Sequence, residues 1–493
     1  MADLTARLLA FPPEKKVSAK EYDRQAHALA QLLDNVSAQE FAKASGKSDL
    51  LDLLNPAVNT ISYIFALHAQ VSLSGKDRAR TEQCIDRSVI FFTSFDPIQA
   101  RYCGHHWRAL LEWAIDAYPR AGVQDFTPLI TALLRLDPTA GTFTSSHLLL
   151  LRLCLDCGVP SQALPILDRN IYAFPQTTPK NLPEDLLCEA PAEDDLSNSF
   201  ITAHSGFTIT PLKPEYILEY YLLGAHVYLG LHSYARAHLF LETVLLHPSP
   251  THACSTFQVE AYKKYVLLGL LANGKSYGLP RTHDVQAMRV IRASAKAYQA
   301  LADNFDKRDW RKFEAEVDVG MQIWNDDGNL RFVKEVGDAL LRYRIIDLQK
   351  TYAALPISRI ASYLDLSADD TLQLLQDMIQ RHHLHATITP STSSDPAHAV
   401  LHFDPAAPTT STTAPPADLE GQTKRIESLI AYIRDADRRL QLSKEYAEYT
   451  KRTKRGAAGP DGELAEQMDL TWDAPILGLG EEDGDGDEDI MGS

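Results

Sequence analysis

Apolar residues recur along most of this chain at steps of three and four, the spacing that lines one face of a helix, and only after residue 383 does the step shorten to two. Within residues 1–137 the clearest helix is 59–71, where Ile61, Ile64, Phe65, His68 and Val71 form a stripe. Residues 128–136 give another, ended by Asp137-Pro138, and no alternating strand pattern competes in this N-terminal helical region. From about residue 145 the pattern comes in pairs. Residues 147–157 predict a helix, Gly158-Val159-Pro160 a turn, and 162–174 a return helix before Pro175. A second pair runs over 216–229, turns at Gly230 and returns over 234–246 before Pro248. A third unit opens at 257–271 and continues over 285–305, and 310–332 leads onward.

In the second pair, Gly224, Tyr234, Ala237 and Leu241 lie close to tetratricopeptide spacing. Each pair carries an apolar face that it cannot bury alone, so residues 138–335 are expected to stack into a helical-repeat solenoid. Residues 176–214, rich in Pro, Asp, Asn and Ser, read as a surface insertion in it.

Residues 336–403 change character. Leu340 to Leu348 keep helical spacing until Leu355-Pro356 breaks it. Ile357, Ile360, Ala361 and Leu364 share one face of a short helix, and Leu372, Leu375, Met378 and Ile379 one face of a longer one. Ser367 and Asp370 are spaced so that hydroxyl and carboxylate can each satisfy a free N–H of that helix's first turn. Residues 384–389 and 400–403 then alternate by two. Three helices and a two-stranded ribbon make a winged helix. Its last strand, Val400, Leu401, His402 and Phe403, is expected to offer an edge on which another strand can add.

Residues 404–418, mostly Pro, Ala and Thr, have no material for a core and read as a linker. Residues 419–451 predict a long C-terminal helix. Ile426, Leu429, Ile433, Ala436 and Leu440 follow alternating steps of three and four, a seam of about two heptads. A helix tethered in this way cannot bury its seam locally without a partner. Residues 452–493 are polar and acidic and are expected to be disordered, with Leu470-Thr471-Trp472 and Ile476-Leu477 as their main apolar spots.

Charge narrows the choice of partner. The formal net charge is -17, with seven acids between Glu481 and Asp489. The winged helix's third helix carries Asp369, Asp370 and Asp377 against Arg381. Phosphates are held by cations, so nucleic acid is excluded as the expected partner. The six cysteines do not read as a disulfide framework, and Asp3 and Arg7 interrupt any secretory signal. The most apolar stretch, 216–231, contains Glu219 and His226 and falls short of the ~20 apolar residues of a membrane span, so no membrane is expected.

Candidate chemistry fails at each place. His383-Leu384-His385 with Ser393 is similar to the zinc motif of deneddylating and deubiquitinating metalloproteases, yet Asp395 stands one residue short and Ala386 replaces a proline. Cys154 and Cys157 form a lone pair in a leucine-rich helix and read as core thiols. Asp483-Gly484-Asp485-Gly486-Asp487 lacks the glycine and the glutamate of a calcium loop. Lys451-Arg452 with Lys454-Arg455 reads either as a localisation signal or as a charge-favoured helix end. No catalytic residue, cofactor or metal is expected.

The stretch Ile357-Ser358-Arg359-Ile360-Ala361-Ser362-Tyr363-Leu364-Asp365-Leu366-Ser367, following helical repeats and preceding a small wing, resembles the PCI domain. That family occurs in scaffold subunits of the proteasome lid, the COP9 signalosome and a translation-initiation complex. Three upstream stretches resemble the signalosome subunit 3 family in particular. They are Cys154-Leu155-Asp156-Cys157 running into Ala163 to Asp168, Tyr220 to Gly224 with Leu231 to Ala237, and Glu260 to Tyr265 with Gly274-Lys275 and Leu279-Pro280. The resemblance covers roughly residues 140–450. It implies an all-α, TPR-like solenoid followed by a winged-helix PCI module and a long C-terminal helix. It also implies a non-catalytic scaffold whose partners are other PCI subunits and metalloprotease subunits of one complex, acting on cullin–RING ligases in nucleus and cytoplasm. Edge pairing through residues 400–403 and bundling through Ile426, Leu429, Ile433 and Leu440 would hold it there. The paralogous proteasome-lid scaffold and a winged-helix nucleic-acid binder are the alternatives.

Overall fold

The computed structural model describes residues 2–13, 17–44, 49–75, 77–175, 191–192, 198, 200–248, 254–381, 383–389, 399–404 and single positions between 423 and 452. The expected linker 404–418 apart from Asp404, most of residues 176–199 of the expected insertion 176–214, and the acidic stretch 453–493 lie outside the described residues. The described part of that insertion is not all surface, since Ile201 and Phe207 are buried in the large core.

Helices dominate up to residue 349. The first nine are α1 (Ala2–Leu9), α2 (Ala19–Asp34), α3 (Ala38–Ala44), α4 (Leu50–Leu53), α5 (Thr60–Ser74), α6 (Arg78–Ser94), α7 (Pro97–Ala100), α8 (Gly104–Ala121) and α9 (Thr127–Leu136). Helix α5 is the centre of this block. The sequence predicts a one-sided stripe there, but Thr60 to Leu67 are all buried because α2, α3, α6 and α8 surround the helix. Its hydroxyls are satisfied inside: Thr60 Oγ1 donates to the Pro56 carbonyl and Ser62 Oγ to the Leu8 carbonyl.

Helix α10 (Ser145–Asp156) begins the repeats with an unusual cap. His147 is buried, and its Nδ1 accepts the Thr144 backbone N–H at 3.1 Å, so this nitrogen must be unprotonated. The expected return helix over 162–174 is much shorter. A 3₁₀ turn at Pro160–Ala163 leads into α11 (Leu164–Leu167), and the chain then straightens. Arg236 donates to the Leu167 carbonyl at 3.0 Å, and residues 172–173 run beside Gly141 and Thr142, pairing Phe143 N with the Ala173 carbonyl. Distant partners thus replace the local hydrogen bonds that a longer helix would have made.

The second pair forms as the pattern predicts, as α12 (Pro214–Gly230) and α13 (Tyr234–Leu246). Gly224 lets them close: a Cβ there would stand 2.5 Å from the Phe240 ring. The two polar residues that interrupt the apolar run are ties between layers. Glu219 takes a two-pronged contact from Arg152 of α10 at 2.7 and 2.5 Å. His226 lies 3.4 Å from Glu260 of α14 (Thr256–Asn273), which also binds Lys264.

Beyond it, the expected helix over 285–305 is broken at Ala295 into α15 (Val285–Ser294) and α16 (Lys296–Asp306). Then follow α17 (Trp310–Val319), α18 (Met321–Asp326) and the long α19 (Leu330–Gln349).

One continuous core extends from Leu8 to Leu340, and a second, smaller one from Ile345 to Phe403. Helix α19 belongs to both. Val333, Val336, Ala339 and Leu340 enter the large core, whereas Ile345, with Leu341, Ile346 and Leu348 packed beside it, enters the small one. Polar ties brace the crossing point: Tyr343 Oη donates to the Ala272 carbonyl at 2.8 Å, and Arg308 bridges Asp347 at 2.9 Å and the Gly274 carbonyl at 2.8 Å.

The small core is the winged helix: α20 (Ile357–Leu364), α21 (Ala368–Gln380) and a sheet. Ser367 caps α21 by accepting Asp370 N, but the Asp370 carboxylate accepts a hydrogen bond from the Ser367 hydroxyl rather than from the backbone N–H that the spacing suggested. The sheet has three strands instead of two. Strand β1 (Ala354–Pro356) joins β2 (Ala386–Thr389) and β3 (Val400–Phe403) in the order β1-β3-β2, antiparallel throughout, with Leu355 opposite Leu401 and Ile388 opposite Leu401 on the other side.

The buried His147 yields a pH prediction. Burial, the largest influence, lowers its pKa to about 4 from an ordinary value of 6.5. The unfolded chain therefore binds the extra proton first. The stability from this site is complete above about pH 6.5 and is lost as the pH falls toward 4, by on the order of 3 kcal/mol. Gln258 caps α14 in the same way, with its Oε1 on Ser255 N, so His147→Gln should keep the cap. Urea midpoints between pH 7 and 4.5 should fall less steeply in that variant than in the parent chain; parallel slopes would contradict it.

Candidate functional site

The residues that can carry function here are surfaces. On one side of β3, Phe403 N donates to the Ala353 carbonyl and Ile357 N to the Ala399 carbonyl, both at 2.9 Å. On the other side, Asp404 N donates to the His385 carbonyl at 3.0 Å. Antiparallel hydrogen bonding alternates along a strand. Ala399, Leu401 and Phe403 therefore turn their backbone to β1, and Val400 and His402 turn theirs to β2.

This corrects the expected edge. Strand Val400, Leu401, His402 and Phe403 is the central strand, with its backbone engaged on both sides and Leu401 and Phe403 buried in the wing core. Leu355-Pro356, read from the sequence as a helix breaker, occupies the position that the last strand was expected to leave free. A proline is tolerated there because an edge strand needs no N–H on its outer side.

The same alternation identifies the true edges. In β2, Thr387 and Thr389 face β3, so the peptide groups of Ala386 and Ile388 point outward, and among the described residues no strand pairs with them. In β1 the outward residues are Ala354 and Pro356, and Pro356 has no N–H to offer. The sheet therefore has one fully functional edge. Pro356 was the only sequence signal for this arrangement.

The second surface is the C-terminal seam. Ile426, Leu429, Ile433 and Leu440 are helical and 57, 52, 62 and 56 % exposed. Ile430 and Tyr432 are also exposed, so the apolar band is wider than a two-position seam. Tyr432 rests edge-on against Tyr172 of the repeats, ring centres 4.9 Å apart. The seam and the sheet edge belong to separate elements.

His383 sits beside Arg342, 3.4 Å from its Nη1, and burial followed by Arg342 and Arg381 lowers its pKa. Ser393 and Asp395 lie outside the described residues, and among those described no group of three His, Cys, Asp or Glu could hold a metal. The Cys154 thiol is buried, its pKa raised to about 11 by burial first, while Cys157 caps the end of α10. Of Lys451 to Arg455 only Arg452 is described, and Asp483 to Asp487 lie outside. Among the described residues, no helix is long and apolar enough to cross a membrane.

Comparison with known proteins agrees with this architecture. The family model for the N-terminal helical repeats of COP9 signalosome complex subunit 3 matches residues 23–285, and the PCI domain model matches residues 319–393. A relative from Emericella nidulans, COP9 signalosome complex subunit 3, is 30% identical over 414 residues, 80% of this chain and 82% of its own length. Proteins of the same name from Neurospora crassa and Dictyostelium discoideum are 27% and 23% identical, covering 92% and 85% of this chain and 92% and 90% of their own lengths.

The strand order can be checked with proline at adjacent positions. Thr387→Pro removes an N–H that faces β3, a ladder hydrogen bond whose loss should cost about 1–3 kcal/mol. Ile388→Pro removes an N–H that faces outward and should cost clearly less. Urea midpoints of the two variants measure the difference, and the reverse order would overturn the register.

Proposed function

The chain belongs to the COP9 signalosome complex subunit 3 family, and from that premise we propose that it is a non-catalytic scaffold whose work is to hold other subunits in place. The observation that carries this reading is the band at Ile426, Leu429, Ile433 and Leu440, more than half exposed beside a body whose own cores are closed. Full burial of one such side chain contributes ~1.5–3 kcal/mol, so covering the exposed halves of four contributes on the order of 3–6 kcal/mol. That is ample for a helix entering a shared bundle of subunit helices.

The winged helix supplies a second attachment. Edge pairing with another PCI subunit uses the outward peptide groups of Ala386 and Ile388, in place of the central strand. The acidic face of α21, where Arg381 is already bound to Asp377 at 2.9 Å, favours protein over nucleic acid. In this reading the complex removes a ubiquitin-like modifier from cullins and so regulates cullin–RING ligases in nucleus and cytoplasm. The bond-breaking step belongs to a separate metalloprotease subunit.

Replacing Ile426, Leu429 and Ile433 together with Asp should lower association with the complex about a hundredfold or more, at ~1.4 kcal/mol per tenfold. The chain's own urea midpoint should hardly move, because the replaced side chains are exposed. Affinity purification from the native cell reads both points. Parent chain should return metalloprotease deneddylase subunits rather than proteasomal ones, and the triple variant should return neither. Undiminished recovery of partners by the variant would refute the bundle.

A further inference from the structure

In a chain of net charge -17, residues 275–296 run the other way, with Lys275, Arg281, Arg289, Arg292 and Lys296 against the single acid Asp284. In the structure most of these cations are exposed, two of them on one helix. Helix α15 turns Ala287, Met288 and Ile291 inward against its neighbours α14 and α16. Arg289 and Arg292, one turn apart, stay exposed, as does Lys296 at the start of α16, and Arg281 is exposed in the turn before α15. Asp284 spends its carboxylate capping α15, where Oδ1 accepts Gln286 N at 2.8 Å and Ala287 N at 3.2 Å.

Among the described residues, none of Arg281, Arg289, Arg292 and Lys296 has an ion pair or a hydrogen bond from its side chain, although elsewhere most exposed arginines on helices have a carboxylate one turn away. Beside them Val285 and Val290 are exposed, so the surface is both cationic and apolar. Self-repulsion among four unpaired cations makes such a surface a site for an anion of matching extent.

We propose that this face of α15 is the docking site for residues 476–489 of the same chain. Two features of that segment match it. The apolar Ile476, Leu477 and Leu479 come first, and seven acids between Glu481 and Asp489 follow. The face offers exposed valines beside four cations, so both characters are met. Glu481 stands 29 residues beyond Arg452, and a chain of that length reaches up to ~100 Å at ~3.3–3.6 Å per residue. The docked segment neutralises the one unpaired basic surface of α15 and keeps it from other polyanions. This inference does not depend on the bundle or on the sheet edge.

The test uses the full chain carrying Arg289→Lys, which keeps the charge and gives a zero-length carbodiimide an amine to join to carboxylates. Mass spectrometry should find amide links from position 289 or Lys296 to carboxylates between 481 and 489. A mixture of isotope-labelled and unlabelled chains should show those links within single chains. Yield should drop at least tenfold at about 1 M salt, where the screening length is roughly 3 Å. It should drop equally when Arg281 and Arg292 are both changed to Glu, an exchange at exposed positions that leaves the fold intact. Absence of the links, links only between differently labelled chains, or indifference to the two charge reversals would overturn the proposal. Duplex DNA offers a competing occupant. If the full chain binds it as tightly as a chain lacking residues 481–493, the face is open to nucleic acid and the proposal fails.

Discussion

Everything in this molecule depends on one helix being buried twice. The first half of α19 closes the large core with Val333, Val336 and Leu340, and its second half founds the small one with Ile345. A helix transmits bending poorly over so few turns. The repeats and the winged helix are therefore fixed in mutual orientation by packing rather than by a linker. Arg308 and Tyr343 reinforce the crossing from the side, with the guanidinium lying over the Phe305 and Tyr343 rings at 5.2 and 5.5 Å. Gly274 completes the joint. It adopts a left-handed φ of 71°, and a Cβ there would meet Tyr343 at 2.7 Å.

Within the large core, polar residues placed on otherwise apolar helices set the stacking register. Arg152 with Glu219 ties α10 to α12, and His226 of α12 lies 3.4 Å from Glu260 of α14. Further along, Asp327 gathers Lys263 at 2.6 Å and Tyr298 at 2.8 Å, and Asn329 donates to that same Tyr298 oxygen. Apolar faces alone would let stacked helices slide, since burial is non-directional. These part-buried contacts select one alignment, and a scaffold needs that selection more than it needs extra stability.

The sequence revealed most where the cause was local. Helices α12 and α13 follow the spacing of their apolar residues, and Gly224 was informative because a close neighbour demands the missing side chain. The exposed band at 426–440 was equally plain, since its three-and-four spacing shows in the residues themselves and Ile426, Leu429, Ile433 and Leu440 are more than half exposed. Errors arose where the deciding partner is distant. Leu164 to Ile171 look helical until Arg236 captures the Leu167 carbonyl. Ala354 to Pro356 look like a mere break until residues 400–402 come to lie beside them. Three residues carry no detectable alternation, so β1 was invisible, and with it the central place of β3.

Pro356 has a consequence for assembly. A sheet that can accept a new ladder along β2 but meets a missing donor along β1 has a direction, like a zipper with one sewn end. Two such sheets set β2 edge to β2 edge would leave only their β1 edges outside, so pairing of this kind would stop at one junction. The winged helix thus carries two unlike edges, a difference set by the backbone before any side chain is considered.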